Sequence, residues 1–216
     1  MRNIVITVSR QYGSGGKTIA AMLAKELGIN CYSREILRMA SEDSGINEKI
    51  FADADENTKK TFLYRASRKI YNGEMIPPEK GNFVSDQNLF NYQAKVLRQL
   101  LEMESYVCVG RAADFVLQDK QRVLSVYLDA PYEFRVKREM GRQGIRRTEA
   151  EKYINRLDKY RSSYYTYHTG REWKRPDNYD LCLDTASLGL DNCVRLIEHY
   201  MEIKFAVPMP EETRGK

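Results

Sequence analysis

The sequence predicts an α/β protein, with a five-stranded, mainly parallel sheet between two layers of helices. Three observations carry that reading. The apolar runs at residues 4–8, 106–109 and 123–128 are continuous rather than alternating, as in strands covered on both faces. Amphipathic helical stretches separate them, the order of a βαβ chain. The first run opens into Gly13-Ser14-Gly15-Gly16-Lys17-Thr18, and Ile19, Met22, Leu23 and Leu27 follow at helical spacing. Strand, glycine-rich loop, Lys-Thr and helix is the context in which such a loop binds phosphate.

The other elements follow in chain order. Residues 29–32 read as a short second strand, and 34–40 as a helix capped by Ser33. Residues 47–71 are helical and polar, with apolar points at Ile50, Phe51, Phe62, Leu63 and Ile70. Glycines and Pro77-Pro78 make 72–81 a loop. Residues 86–103 form a strong helix, with Leu89, Tyr92, Val96, Leu97, Leu100 and Leu101 on one side. The third strand, 106–109, ends at Gly110, and the fourth, 123–128, ends at Asp129. Pro131 opens a helix to Met140 at proline's favoured first position. Residues 141–147 read as a basic loop with Gly141 and Gly144 as hinges. Residues 148–165 form a helix capped by Thr148, with Glu151 completing a capping box. Residues 179–183 are the last strand and 190–203 the last helix; the polar segment 207–216 is predicted to be a flexible, fraying tail. All of this fits one domain over 1–206 with insertions.

Composition narrows the function. The net charge of +5 is mildly basic and suits an enzyme handling small polyanions. The four cysteines, Cys31, Cys108, Cys182 and Cys193, have no CxxC spacing. Three sit in apolar surroundings, which predicts buried free thiols in a reducing compartment. Two histidines argue against a zinc site. Met1-Arg2-Asn3 leads straight into the first strand, and no apolar run approaches membrane-spanning length. A cytoplasmic protein without a membrane partner is expected.

The loop carries specific chemistry. Its glycines let successive N–H groups turn inward, and the next helix adds its positive end. Lys17 can reach β- and γ-phosphates, and the Thr18 hydroxyl can ligate Mg²⁺. The usual pattern, GxxxxGK followed by Ser or Thr, begins with glycine, where this chain has Gln11. Strand ends are where an open α/β sheet places its chemistry. Ser33 and Arg38 follow strand two, Gly110-Arg111 strand three, and Asp129 strand four, ahead of Arg135, Lys137 and Arg138. So many cations at one sheet edge suggest more phosphate than one nucleotide carries. Tyr160, Tyr164, Tyr165 and Tyr167 are read as packing residues, and His168 as a hydrogen-bonded surface histidine.

These residues resemble the cytidylate kinases, and more closely the cytidylate kinase-like family of bacterial P-loop proteins. Ser9-Arg10-Gln11-Tyr12-Gly13-Ser14-Gly15-Gly16 resembles that family's signature. Ser33 and Arg38 keep the spacing of acceptor-nucleotide contacts, and Gly110-Arg111 matches a pair that holds the acceptor phosphate. Val126-Tyr127-Leu128-Asp129-Ala130, with Arg135 and Arg138, resembles the strand and helix leading to the lid. Arg156, Asp158 and Arg161 resemble the Arg/Asp-rich segment that meets phosphates when the lid closes, and residues 179–185 the strand before the last helix. Where cytidylate kinases carry aspartate before the Gly-Arg pair, this chain has Val109; Asp114 is the nearest substitute. Their acceptor-domain β insertion is not evident.

The resemblance implies a P-loop kinase fold of three α/β/α layers. It also implies a helical acceptor-binding insertion at about 34–104 and a lid at about 141–165. It implies transfer of the ATP γ-phosphoryl group to a nucleoside monophosphate, CMP or dCMP. Gly13, Ser14, Gly15, Gly16, Lys17 and Thr18 would hold the ATP phosphates. Lys17, Arg138 and Arg161 would be catalytic, with Arg142, Arg146 and Arg147 as further lid cations. Ser33, Arg38, Arg111 and Asp158 would bind the acceptor. Thr18 would ligate Mg²⁺ directly, with Asp114 as a second candidate. Small-molecule nucleotides are the expected partners, nucleic acid is not, and the sequence leaves the oligomeric state open. Two alternatives stand beside this: a P-loop kinase for another small phosphoryl acceptor, and a non-catalytic nucleotide-binding protein. Val109 favours the last and Lys17-Thr18 opposes it.

Overall fold

In the computed structural model, which describes residues 3–50, 75 and 84–206, β1 (Val5–Arg10) lies at the centre of the sheet. It leads through α1 (Gly16–Glu26) to β2 (Asn30–Tyr32) and α2 (Glu35–Ser44). The long α3 (Asp86–Met103) precedes β3 (Tyr106–Val109), the one-turn α4 (Ala113–Val116) and β4 (Val123–Asp129). Next come α5 (Tyr132–Gln143), α6 (Arg147–Thr169), β5 (Leu181–Asp184), the short α7 (Thr185–Leu188) and α8 (Leu190–Phe205). The order is β2-β3-β1-β4-β5, with every neighbouring pair parallel. β1 lies between β3 and β4, so the crevice at its carboxyl end is where the connections part to the two sides of the sheet.

Successive side chains of the strands enter different cores. Val5, Tyr106, Cys108, Val123 and Tyr127 pack with α2, α3, α4 and part of α6. Ile6, Val8, Val107, Val109, Leu124, Val126 and Leu128 pack with α1 and α8. Both faces are apolar, which is why the strands read as continuous runs. A third cluster, Val136, Ala150 and Ile154, joins α5 to α6 with Tyr12 beside it. Among the described residues no helix is long and apolar enough to cross a membrane.

Several local features differ from the sequence reading. β1 continues to Arg10, because the Gln11 N–H still reaches the Leu128 carbonyl at 3.0 Å. Ser33 does not cap α2; Arg34 holds the cap position, and the Glu35 carboxylate accepts the Ser33 N–H at 2.7 Å. Pro131 occupies the cap of α5 rather than its first turn. That helix continues through Gly141 and ends on left-handed Gly144 (φ 65°), so Gly144 alone is left as a hinge glycine. α6 begins at Arg147, and Glu149 rather than Glu151 accepts the Arg146 N–H, at 3.1 Å. Glu151 pairs instead with Arg147 at 2.8 Å. β5 starts at Leu181, after Tyr179. All four cysteines are free, but only Cys108 and Cys193 are buried; Cys182 is exposed. His168 is no surface residue: it stacks on Phe90 with centroids 4.1 Å apart, and burial pulls its pKa down to about 3. The predicted helix beyond residue 50, nearly all of the 72–81 loop and the tail 207–216 lie outside the described residues.

Candidate active site

The loop after β1 is shaped by backbone constraints. Gly13 (φ 84°) and Gly15 (φ 87°) make its two reversals, in a conformation side chains resist. Space is short as well: a Cβ on Gly15 would stand 2.8 Å from Leu190 Cδ2 and 3.1 Å from Arg138 Nη2. No side chain caps α1, so its first N–H groups and positive end face the loop. The loop is pinned from beneath. Ser14 Oγ donates to the Gln11 carbonyl at 2.9 Å, and Thr185 Oγ1 donates to the Ser14 carbonyl at 2.6 Å. Gln11 is not left-handed and continues the ladder with β4, so glycine is not required there.

Loop residues, Lys17, Thr18, Arg138, Glu139 and Arg142 line a cleft of about 460 Å³. Glu139 is the carboxylate on that wall; its Oε2 accepts from Arg142 and Gln143 at 2.6 Å each, and its Oε1 accepts from Arg142 at 3.1 Å. Burial pushes its pKa up, but those bonds outweigh burial and hold it below the usual range. Tyr12 Oη accepts from Arg142 and Gln143 at 3.1 Å, closing the same wall.

A smaller pocket of about 90 Å³ opens past the end of β3. Ser9, Ser33 and Arg111 form its polar side, and Tyr160, Tyr164, Tyr165 and Trp173 its aromatic wall. Gly110, Arg111 and Ala112 have φ of 80°, 62° and 48° in succession. Two non-glycine residues held there cost on the order of 1 kcal/mol each. This turn directs Arg111 toward β2, where its Nε donates to the Ser33 carbonyl at 3.3 Å.

Arg10 and Arg161 line both cavities. Arg161 Nη1 donates to the Arg10 carbonyl at 3.0 Å, and its guanidinium lies 5.5 Å from the Tyr12 ring centroid. Burial pulls the Arg161 pKa down, with the Asp158 charge acting the other way. A guanidinium remains charged through such shifts.

The structure thus brings Gly13, Gly15, Gly16, Lys17, Thr18 and Arg138 to the cleft, Ser33 and Arg111 to the pocket, and Arg161 to their junction. Ser14 lies beneath the loop, with a fully buried side chain. Three expected site residues lie elsewhere. Arg38 is exposed on α2 and sits 3.7 Å from Glu42. The Asp158 carboxylate is engaged by Arg135 at 2.6 Å and by the Tyr12 N–H at 2.7 Å. Arg135, expected among the cations at the sheet edge, is itself a buried strut, also donating to the Ala130 and Tyr12 carbonyls. Asp114 is buried, accepting the Tyr165 hydroxyl at 2.6 Å with Ser9 Oγ at 3.5 Å. Burial pushes its pKa up to about 6. A carboxylate so enclosed does not suit a hydrated cation such as Mg²⁺. Val109 is 2% exposed and packs beneath α1, which explains the apolar residue at that strand end. The Thr18 hydroxyl, on the cleft wall, is a donor that suits Mg²⁺ bound to phosphates.

Tyr164 and Tyr165 are core residues, as read from the sequence, yet with Tyr160 they also face the pocket. Trp173 and Arg10 are among the lining residues the sequence reading did not place at the site. Trp173 lies in the charged run Glu172-Trp173-Lys174 and carries no periodic signal. Arg10 was legible: a cation directly between a buried strand and a glycine-rich loop has few places to go but the site.

Residues 5–187 match the Cytidylate kinase-like family. The chain is 25% identical over 197 residues to the cytidylate kinase of Methanopyrus kandleri, covering 91% of this chain and 92% of that one. It is 26% identical over 196 residues to the cytidylate kinase of Thermococcus kodakarensis, covering 90% and 86%. An uncharacterized protein from Eubacterium ventriosum shares the fold, with a TM-score of 0.68 and 24% identity over 93% of this chain and 99% of that one.

Proposed function

Because the chain belongs to the cytidylate kinase-like family, we propose that it transfers the γ-phosphoryl group of ATP to a nucleoside monophosphate, with CMP or dCMP as the acceptor. The observation that carries this reading is the pair of cavities joined at Arg10 and Arg161, one beside the phosphate loop and one beside Arg111. In-line transfer needs two anions held end to end and the charge of the moving group neutralised.

The loop N–H groups and Lys17 hold the β- and γ-phosphates, and Arg138, packed over Gly15, reaches the same oxygens. Thr18 would hold magnesium, which when bound neutralises charge on those oxygens. Arg111, steadied by the Ser33 carbonyl, grips the acceptor phosphate with its planar fork. Arg161 acts between the two ligands. The turn at Gly144 lets α5 and α6 close as a lid and exclude water, which suppresses hydrolysis of ATP.

An ADP-release assay with ATP, Mg²⁺ and each common nucleoside monophosphate tests this. Release stimulated most by CMP or dCMP is expected. Stimulation by a different acceptor reassigns the substrate. Tight ATP binding with no stimulated release supports a nucleotide-binding protein without transfer, the reading that Val109 favours.

A further inference from the structure

Arg10 is the last residue of β1 and pairs in register with Leu128 of β4. On its other side β3 has ended: Val109 pairs with Val8, and the chain turns at Gly110. A slot is left there, and two glycines shape it. A Cβ on Gly16 would stand 2.5 Å from Arg10 Cβ, and one on Gly110 would stand 2.5 Å from Arg10 Nη1. Neither separation is tolerable between real atoms. The stem of Arg10 therefore lies against the phosphate loop and its head against the turn that presents Arg111. The Arg161 guanidinium holds its carbonyl at 3.0 Å.

We propose that Arg10 is a catalytic residue that contacts the γ-phosphoryl group while it passes from ATP to the acceptor. The proposal rests on the phosphoryl-transfer reading above and adds to it a cation outside the loop's own phosphate-binding groups. Lys17 borders only the cleft and Arg111 only the pocket, whereas Arg10 borders both. During transfer the bond from the γ-phosphorus to the bridging oxygen breaks, leaving ADP. A new bond forms from an acceptor phosphate oxygen to the same phosphorus. Charge stays on the three equatorial oxygens throughout. A guanidinium fixed beside that path offers two parallel N–H groups to them and keeps its own protons. Because it is seated in the slot those glycines leave, with its carbonyl bonded to Arg161, it needs little reorganisation at the moment of transfer.

Arg10→Met and Arg10→Lys test this with steady-state kinetics and calorimetric binding of MgATP and MgADP. The expected result for Arg10→Met is a fall in kcat of roughly 10²-fold or more, the scale for losing one such donor. KM for each ligand should change less than about threefold, and MgADP affinity should hold. Arg10→Lys should fall in between, because it keeps charge without the fork. Unchanged kcat in either folded variant overturns the proposal. So does a loss confined to thermal stability, the sign of a mere strut. If Arg10→Met fails to fold, Arg10→Lys decides, since its stem still fills the slot beside Gly16. If the wild-type protein transfers to no nucleoside monophosphate, the function reading fails by itself. Arg10 is then judged by binding: loss of the preference for MgATP over MgADP in Arg10→Met supports contact with the γ-phosphoryl group, and an unchanged preference overturns it.

Discussion

Arg135 and Asp158 form a largely buried ion pair, Nη1 to Oδ2 at 2.6 Å, that ties α5 to α6 beside the phosphate loop. The second Asp158 oxygen accepts the Tyr12 N–H, so the pair also fixes the loop's entry. Removing one partner of a buried pair leaves an uncompensated charge and typically costs about 3–5 kcal/mol. Asp158→Ala and Arg135→Met should each lower stability on that scale, and the double variant should lose less than the sum. Denaturant unfolding of the four proteins checks this. A stable Asp158→Ala protein with a raised acceptor KM would return Asp158 to the acceptor site.

Lys17→Ala should abolish transfer and leave the fold intact. The side chain is exposed at the cleft rather than packed in either core. A loss of at least about 10²-fold in kcat is expected, with an unchanged thermal midpoint. Normal turnover would contradict the phosphate-loop assignment.

Arg111 and Arg38 should separate. Arg111→Ala should raise the acceptor KM about tenfold or more, because a charged hydrogen bond to phosphate is worth roughly 1.5–3 kcal/mol. Its effect on the ATP KM should be small. Arg38→Ala should change neither constant appreciably, since Arg38 projects from α2 beside Glu42. Equal effects of the two substitutions on the acceptor would count against the pocket as its site.

Asp114 and His168 should carry opposite pH signatures. Burial lifts Asp114 to about 6, against about 3.9 in an unfolded chain. The folded protein keeps a proton that the unfolded chain loses over that range, so stability falls as pH rises through it. Burial lowers His168 to about 3, against about 6.5 unfolded. There the unfolded chain binds the proton first, so stability falls as pH drops below about 6.5. Asp114→Asn, which keeps an oxygen for Tyr165, should gain on wild type by on the order of 3 kcal/mol between about pH 4 and 6 and hold that gain above. His168→Leu should gain as pH falls. Unfolding curves across pH would refute either assignment if the gap to wild type stayed flat.

Thr18→Val should raise the Mg²⁺ concentration needed for half-maximal transfer several-fold, while Asp114→Asn leaves it unchanged. Titrating Mg²⁺ at saturating ATP makes the comparison. The reverse outcome would identify Asp114 as the displaced ligand.

The fold and the loop were legible because their signals are local. Continuous apolar strands, a Gly-rich turn and Lys-Thr stand side by side in the chain, and so do Gly110 and Arg111. The place of Arg38 outside the pocket was not legible, because spacing from a strand end does not give the rotation of the next helix. Ile36, Leu37 and Ala40 turn inward on α2, and they send Arg38 out. The pairing of Asp158 was not legible because its partner lies on another helix, and no local pattern announces an ion pair across 23 positions. Cap positions failed where side chains from the following turn, Glu35 and Glu149, took the exposed N–H groups.

The place of β1 at the middle of an all-parallel sheet has a consequence for how the chain is made. Val5 pairs with Tyr106 on one side and with Val123 on the other, so both partners lie about a hundred residues downstream. At roughly 5–20 residues per second, the nascent strand waits on the order of ten seconds before either neighbour has been synthesised. During that interval Val5, Ile6 and Val8 are an unpaired apolar edge, prone to the wrong partner. The segment that forms the phosphate loop thus leaves the ribosome well before the two strands that lock β1 in place.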